Sequence, residues 1–408
     1  MTYFILHSRH SKTLFVLIAG CIIASIGFGV RASLGLFLNP MTLELGLDRQ
    51  TFALALAIQN LLWGCMLPVA GAFADRYGPR WVIAGGTFAY ALGLVGMAFS
   101  TTGLALQLTA GILMGIGIAF TAFSLAMAAM AKVVGPEKRS LVLGLGTAAG
   151  SAGQVFFSPL GFGFISAFGW HSALLMLSMV VMLMVGCASF LPTDANVKGE
   201  AETDQKLHEA IVEAVHHHGF LLLGLGFFVC GFQIAFITVH FPSYISDLGL
   251  PGHVGAFCIS LVGLFNIAGS FLAGIAGQKW SKKLSLASLY FARAILVIGL
   301  ILLPNTELNL YIFSGLMGLL WLATVPLTTG LITQVFGVKY IATLFGLVFL
   351  SHQLGSFLGV WLGGYIFDTT NSYDMVWWLC IALGLIATLL HLLIDEDPLP
   401  RLFQPGAT

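Results

Sequence analysis

The chain has 408 residues, of which 58% are hydrophobic and only 8% are charged, and its mean hydropathy is +0.96. A soluble domain carries about 25% charged residues, so the composition excludes an ordinary soluble enzyme and predicts an integral membrane protein. The formal net charge is zero, which provides no basic surface for nucleic acid.

Stretches long enough to cross a bilayer as a helix, about 20 apolar residues each, occur twelve times. Span one is too long for a signal-peptide core and lacks a small-residue cleavage site, so we expect it to be retained. In chain order, the predicted spans one to twelve cover residues 13–38, 51–73, 81–99, 104–131, 140–166, 171–191, 219–247, 253–276, 284–303, 308–333, 341–366 and 372–394.

The placement of Lys and Arg predicts the orientation of these spans. With the N-terminus inside, the outer loops contain only Arg49, while two arginines lie within spans and all other Lys and Arg residues lie in inner segments. Inner loops of membrane proteins are enriched in these residues. We therefore expect both termini in the cytoplasm and the chain in a plasma (inner) membrane of bacterial type.

The two halves of the chain repeat each other. The loop Gly71–Arg80 after span two recurs after span eight as Gly274–Lys283, at an offset of 203, and the loop after span one recurs after span seven at the same offset. We expect two pseudo-symmetric six-helix bundles, residues 1–191 and 219–408. Such repeats place a central site at the interface of the halves and work by alternating access.

The polar linker between the halves covers residues 192–218. Leu207, Ile211 and Val215 recur every four residues within it, which predicts a short amphipathic helix on the cytoplasmic face. The adjacent residues His216 to His218 point in different directions on a helix, so we favour an interfacial role for them over a metal site. The six cysteines lie in apolar stretches without metal-ligand spacing, and we interpret them as packing residues.

Two arginines lie deep within predicted spans, while Asp and Glu occur only at the ends of spans. A charge near the bilayer centre costs about 2.5–3.5 kcal/mol and usually marks a functional pathway. Arg31 lies in the outer third of span one, and a guanidinium binds a carboxylate through two parallel hydrogen bonds. We predict that Arg31 binds an anionic substrate, the alternative being an arginine that reaches the outer surface.

Arg293 lies midway along span nine and has two readings, substrate contact or a structural bond to a neighbouring helix. Gln233 and His240 share one face of span seven, and Asn266 and His352 lie in spans eight and eleven. We include these residues with Arg31 in the candidate substrate site. His352 and His240 are also the candidates for proton coupling, because histidine titrates near neutral pH; the alternative for each is a hydrogen-bonded packing role.

The loop containing Gly71, Asp75, Arg76, Gly78 and Arg80 resembles the signature loop of the major facilitator superfamily. That resemblance covers essentially the whole chain and implies the major facilitator fold. It also implies that Asp75 reaches the cytoplasmic start of span eleven and holds a gate shut in the outward-open state. The second copy has Gln278 in place of the acid, and a solvated turn is the alternative reading of the first.

A narrower resemblance is to the branch of monocarboxylate transporters and oxalate/formate antiporters. Span one, from Ser25 to Phe37, and span seven, from Gly231, are similar to the same spans of that branch. Asn266 and Ser270 stand where the branch has an Asp and an Arg, and His352 stands where the oxalate/formate type has a lysine. The resemblance implies a small carboxylate substrate, while these departures leave the substrate and the ion coupling open.

The sequence thus predicts a secondary transporter for a small organic anion, most simply a monocarboxylate, acting as a proton symporter or an anion exchanger. We expect no enzymatic activity and no cofactor, and we expect a monomer whose partners are the anion, protons and the lipid bilayer. Two alternatives remain. One is an efflux pump for amphipathic drugs or metabolites, which commonly uses a membrane carboxylate that this chain lacks. The other is a non-transporting membrane sensor on the same fold.

Overall fold

The computed structural model describes residues 2–193 and 205–403. Within these ranges the chain is helical and contains no strand, which confirms the predicted all-α class. Eleven helical segments are long and apolar enough to cross a membrane. They account for all twelve predicted spans, because the 48-residue segment Leu141–Ala188 contains both span five and span six.

Spans one to six are built from ten helical elements, of which Leu34–Phe37 is a 3₁₀ turn and Gln107–Leu113 a π-helical turn. They are Thr2–Ser33, Leu34–Phe37, Leu38–Leu45, Arg49–Tyr77, Pro79–Ala98, Gly103–Leu106, Gln107–Leu113, Met114–Phe120, Phe123–Lys132 and Pro136–Ala188.

The linker helix, spans seven to twelve and a final 3₁₀ turn make up the remainder. They are Leu207–His216, His218–Asp247, Gly252–Lys279, Lys282–Leu302, Glu307–Leu320, Thr324–Phe336, Ile341–Thr370, Asp374–Leu392 and Pro400–Phe403.

The boundary between spans five and six is a single residue. Gly169 has a φ of 77° and a ψ of 161°, which no helix can accommodate. A residue with a β-carbon rarely adopts a positive φ, whereas glycine does so at little cost. Gly169 therefore lets the chain reverse between two spans with almost no loop.

Spans four and ten are each interrupted near the middle. Span four breaks after Phe120 and resumes at Phe123, and span ten breaks after Leu320 and resumes at Thr324. Thr121 and Thr324, at the two breaks, occupy equivalent positions at the offset of 203. A break frees backbone groups that must find partners inside the protein, because the bilayer core offers none.

The chain forms two compact units. The first contains Met1–Val197 and Thr238–Leu264, and the second contains Lys198–Ile237 and Phe265–Thr408. The assignment of 1–191 and 219–408 to two six-helix halves remains a prediction about domain boundaries.

One helix crossing is repeated in the two units. In the first, the main chain of span one at Ser25 lies directly over Gly153 of span five, leaving no room for a β-carbon. In the second, the main chain of span seven at Phe228 lies over Gly355 of span eleven in the same way. Gly355 follows Gly153 by 202 positions, so the sequence repeat is a repeat of helix packing through small residues.

The predicted amphipathic helix of the linker is present as Leu207–His216, whereas linker residues 194–204 lie outside the described part of the chain. Leu207 and Val215 are exposed on it. Glu213 anchors this helix through an ion pair of 2.9 Å with Arg401, which also donates to the main chain at Phe336. The helix is thereby fixed to the second unit.

Glu396 caps the start of span nine. Its carboxylate accepts hydrogen bonds from the Lys282 and Lys283 amides at 2.7 and 2.9 Å and from the Ser281 hydroxyl. A carboxylate at a helix N-terminus satisfies free N–H groups and interacts favourably with the helix dipole. Thr193 and Gly78 of the first unit lie 203 positions before Glu396 and Ser281. The main chain at Thr193 packs on Gly78. The second copy of the loop has Gln278 in place of the signature acid. It is held instead by the carboxylate of Glu396, which follows span twelve.

We predict that Glu396→Gln lowers the thermal unfolding midpoint of the detergent-solubilised protein. The loss corresponds to about 1–3 kcal/mol, because a charged hydrogen-bond acceptor is replaced by a neutral one. Asp397→Asn is the matched control, because the Asp397 side chain is exposed and lies one residue away. Equal midpoints for the two variants would show that the Glu396 contacts do not stabilise the fold.

Candidate functional site

Arg31 lies in the last turn of the helix Thr2–Ser33, where a basic side chain interacts favourably with the negative end of the helix dipole. The helix then tightens into the 3₁₀ turn Leu34–Phe37. Arg31 as a whole residue is partly exposed, although its Nε atom is buried. The local structure of span one thus holds a cation at the end of a helix, with part of its surface accessible.

The neighbours of Arg31 are neutral. Its Nη2 donates to the amide oxygen of Asn60, and its guanidinium lies 4.6 Å from the centre of the Trp63 ring. The Tyr90 side chain interacts with it electrostatically and donates to the carbonyl of Gly27 at 3.3 Å. Spans two and three therefore position this guanidinium through dipoles and an aromatic face.

No carboxylate contacts Arg31 within the described residues, whose ion pairs lie elsewhere. The Nε atom of Arg31 is buried and has no hydrogen-bond partner among those residues. A buried charge is strongly disfavoured unless it is paired. The geometry therefore leaves one N–H group of the guanidinium without an acceptor, and its charge without a counter-ion, among the described residues.

Arg293 lies in a different environment. Its side chain is 1% exposed, and its Nη2 donates to the carbonyls of Leu320 and Trp321, each at 2.6 Å. These are carbonyls at the break in span ten. Arg293 thus satisfies main-chain groups that the break sets free, as in the structural reading of the sequence.

Asn266 serves the same break from span eight. Its amide oxygen accepts a hydrogen bond of 2.9 Å from the backbone N–H of Leu322 and one of 3.2 Å from the Ser270 hydroxyl. Two of the candidate substrate residues, Arg293 and Asn266, therefore stabilise non-helical backbone in span ten.

Gln233 is buried with both ends of its amide in use. Its nitrogen donates to the carbonyl of Cys380 at 2.9 Å, and its oxygen lies 3.4 Å from the Nη1 of Arg293. These bonds join span seven to spans nine and twelve. They would have to break before Gln233 could bind a substrate.

His352 is buried in the second unit, with 8% of its surface exposed. Its Nδ1 lies 3.0 Å from the side-chain oxygen of Gln353, and its ring stacks on Phe349 and contacts Phe227. The imidazole also interacts electrostatically with the thiol of Cys230. His240, the other histidine proposed for proton coupling, is fully buried in span seven within the first unit.

The residues of the signature loop lie at the end of span two and the start of span three. The Asp75 carboxylate is 81% exposed and lies 3.9 Å from the ammonium of Lys132 at the end of span four. Gly78 has a φ of 85°, which turns the chain into the helix Pro79–Ala98. Asp75 is therefore solvated and near one cation, and its role at a gate remains a prediction.

Sequence reasoning missed three neighbours of Arg31 and the partner of His352. Asn60, Trp63 and Tyr90 lie on other spans, and only the folded helices show that they meet Arg31. Cys230 was interpreted as a packing residue. Its spacing of three residues from Gln233 places both side chains on one face of span seven, and this was the available signal.

The repeat reveals an exchange of charge between the halves. Arg31 corresponds to Gln233 at an offset of 202, and Tyr90 corresponds to Arg293 at 203. In each unit the two equivalent side chains interact, one from the first span of the half and one from the third. Each half therefore contains one of the two arginines. It lies on the first span in the first half and on the third span in the second half.

Helices long and apolar enough to cross a membrane, repeated along the chain, are typical of an integral membrane protein. Residues 17–357 match the sequence profile described as Major Facilitator Superfamily. The chain therefore belongs to the Major Facilitator Superfamily, as its signature loop predicted.

Relatives of this chain include an uncharacterized MFS-type transporter, YcxA, of Bacillus subtilis, with 26% identity over 88% of this chain and 90% of the relative. Monocarboxylate transporter 11 of Mus musculus is also 26% identical, over 90% of this chain and 84% of the relative. Monocarboxylate transporter 13 of Bos taurus is 25% identical over 92% and 88%, respectively. These relatives are transporters, which fits the expectation that the chain is not an enzyme.

A crystal structure of the nucleoside transporter NupG superposes with a TM-score of 0.76 over 93% of this chain and 99% of that one. The sequence identity is 13%, so the comparison establishes the fold. The predicted major facilitator architecture is confirmed.

The environments of the two arginines generate a stability prediction. Arg293→Met should lower the unfolding midpoint by the equivalent of about 2–4 kcal/mol, because two main-chain carbonyls lose their charged donor. Arg31→Met is the matched comparison in the other half and should lower the midpoint less, because it removes the donor of one acceptor, the Asn60 amide oxygen, and also removes an uncompensated charge. Thermal unfolding of both purified variants in detergent measures the difference. A midpoint for Arg293→Met equal to that for Arg31→Met would contradict a structural role for Arg293.

Proposed function

We propose that this chain is a secondary transporter that moves a small monocarboxylate anion across the plasma (inner) membrane by alternating access. The observation that carries the proposal is Arg31, whose guanidinium has one unpartnered N–H group and no carboxylate among its described neighbours. An unpaired cation in a membrane span is costly. Substrate binding accounts for this arrangement because the carboxylate of the substrate supplies the missing charge.

The neighbours of Arg31 suit a small carboxylate. Asn60 fixes one nitrogen of the guanidinium, and Trp63 covers it with an aromatic ring. Arginine that is stacked and held in this way loses little further freedom when it forms two parallel bonds to a carboxylate. An aromatic ring at the same place provides an apolar contact for the short carbon chain of a monocarboxylate.

The names of the relatives support the same substrate class. Monocarboxylate transporters 11 and 13 align with 90% and 92% of this chain, at 26% and 25% sequence identity, respectively. Asn266 and Ser270 stand where the branch that the sequence resembles has an Asp and an Arg in span eight, so we assign the anion to Arg31 rather than to span eight. His240, Gln233 and His352 belong to the proposal as residues that complete or modulate the site.

The proposed orientation places both termini in the cytoplasm, supported by the distribution of Lys and Arg along the chain. In this orientation the signature loop with Asp75, Arg76 and Arg80 is cytoplasmic and acts as the gate. We also propose that the chain acts as a monomer and that it works either as a proton symporter or as an anion exchanger.

Arg31→Ala should abolish uptake of labelled monocarboxylates by proteoliposomes, because the charge serves the substrate. Arg31→Lys should retain partial uptake, since lysine offers a point charge in place of a planar fork. Each charge-assisted hydrogen bond contributes about 1.5–3 kcal/mol, so at least a tenfold loss of apparent affinity is expected for the lysine variant. Near-normal uptake by Arg31→Ala would refute the proposal.

Asn60→Asp tests the same site without removing Arg31. The substitution places a carboxylate where Arg31 already has a bond, so the protein itself would supply the missing anion. Uptake should fall strongly while the unfolding midpoint stays equal or rises. Asn60→Ala is the control, because it removes the bond without adding a charge and should retain more uptake. Equal uptake by the two variants would show that Arg31 does not need an exogenous anion.

The unequal copies of the loop generate a prediction about the gate. Asp75→Asn should reduce the transport rate more than Gln278→Ala, because only the first copy retains its acid. Initial uptake rates at matched protein amounts measure the effect. The same loss in both variants would show that the difference between the loops has no mechanistic consequence.

A further inference from the structure

The second unit encloses a cation among membrane helices. Arg293 is 1% exposed, and the described part of this unit places no Asp or Glu against it. Its bonds go to the carbonyls of Leu320 and Trp321, which are dipoles and leave a full positive charge uncompensated. A buried charge of this kind favours a neighbouring group that can become negative.

The sulfur of Cys230 is the group in that position. It is fully buried and lies 3.4 Å from the Nη1 of Arg293 and 3.4 Å from the hydroxyl of Thr324. His352 of span eleven interacts with it electrostatically. Side chains from three spans thus surround one sulfur atom. Burial disfavours a thiolate, whereas the neighbouring cation and the hydrogen-bond donors favour one.

The other groups that face Cys230 do not supply a stronger acid. Tyr290 of span nine interacts with both Cys230 and Arg293, and its ring stacks on His391 of span twelve at 4.8 Å. A phenol ordinarily loses its proton at higher pH than a thiol does. Among the described groups around Arg293, the thiol is therefore the acid that ionises first.

His352 is a neighbour of this sulfur and is less deeply buried than Cys230. It is 8% exposed, whereas Cys230 has no exposed surface. Gln353 and Ser356 approach the Nδ1 of its ring at 3.0 and 3.4 Å, which keeps the imidazole oriented. An imidazole beside a thiol can accept its proton and later release it.

We propose that Cys230 is the residue that binds and releases the proton exchanged during transport. The S–H bond breaks with its electron pair left on sulfur, the proton passes to the imidazole of His352, and the imidazolium then gives it up to water. Arg293 stabilises the thiolate that results, and the reverse sequence reloads the thiol. The proposal rests on the proposed function, because it assigns the proton that accompanies the carboxylate, and it assigns His352 as the partner of an acid.

The first arm of the test observes the thiol without transport. The S–H stretching band in the infrared spectrum of reconstituted wild type is recorded from about pH 5 to 9, which brackets the ordinary pKa values of histidine and thiol groups. We expect one S–H component to disappear as pH rises, and we expect Cys230→Ser to lack that component. Cys258→Ser, which removes a buried cysteine of the first unit, should retain it. A Cys230 band that persists throughout this range would overturn the proposal.

The second arm measures coupling. In Cys230→Ser, accumulation of monocarboxylate driven by an imposed pH gradient should be lost, while exchange of internal for external monocarboxylate should continue. His352→Gln should slow the gradient-driven phase and weaken its pH dependence, and Cys258→Ser should retain both activities. Cys230→Asp restores an acid, so it should recover gradient-driven accumulation with an optimum at lower pH.

The two arms separate the two proposals. Gradient-driven accumulation by Cys230→Ser and by Cys230→Ala at wild-type levels would overturn the role of Cys230 while leaving the Arg31 site intact. A wild type that moves no monocarboxylate but shows a titrating Cys230 band would refute the proposed function and still support proton binding at this thiol. If the serine and alanine variants fail to fold, the infrared titration is repeated on a variant in which the other five cysteines are Ser, where the S–H band belongs to Cys230.

Discussion

Among the described residues, no carboxylate lies beside either internal arginine, and this constraint determines the other interactions of the two side chains. A guanidinium in a membrane span needs partners, because the bilayer core supplies neither counter-ions nor water. Arg31 receives an amide, an aromatic ring and the negative end of its own helix. Arg293 receives two carbonyls and a thiol. These neutral partners keep each cation in place, but none of them cancels its charge.

The broken helices follow from the same constraint. Span ten can lose its hydrogen bonds between Leu320 and Thr324 because Arg293 binds the freed carbonyls and Asn266 binds a freed N–H. A cation and a break therefore stabilise each other: the break exposes acceptors for the arginine, and the arginine makes the break tolerable in a membrane. Span four breaks at the equivalent place, next to Thr121, but the equivalent of Arg293 there is Tyr90, which bonds the main chain of span one instead. The helix break is shared by both halves, and the charge that serves it is not.

Hydropathy and the repeat predicted the class, the spans and the signature loop, since these depend on local composition and on spacing along one chain. They also placed Arg31 within a span. They did not predict its contacts with Asn60 and Trp63, because neighbours across helices depend on how each helix is rotated, and a glycine-rich sequence with weak amphipathicity leaves that rotation unspecified. Cys230 resembled any other cysteine in an apolar stretch until Arg293, Thr324 and His352 were seen to surround it. Glu396 lies so far along the chain from Ser281 that its helix-capping role had no sequence signal.

The exchange of positions between Arg31 and Arg293 gives the two halves different capacities. A cation on the first span of a half lies beside a 3₁₀ turn, belongs to a partly exposed residue and keeps one unpartnered N–H group. A cation on the third span is buried and binds main-chain carbonyls. Its charge is compensated only when a neighbouring acid loses its proton. The first arrangement suits reversible binding of an anion from solution, because the guanidinium is pre-oriented and accessible. The second suits a proton, which is small enough to reach a buried thiol through an imidazole. A duplicated fold can in this way divide anion binding and proton binding between its halves by moving one arginine from one helix to another.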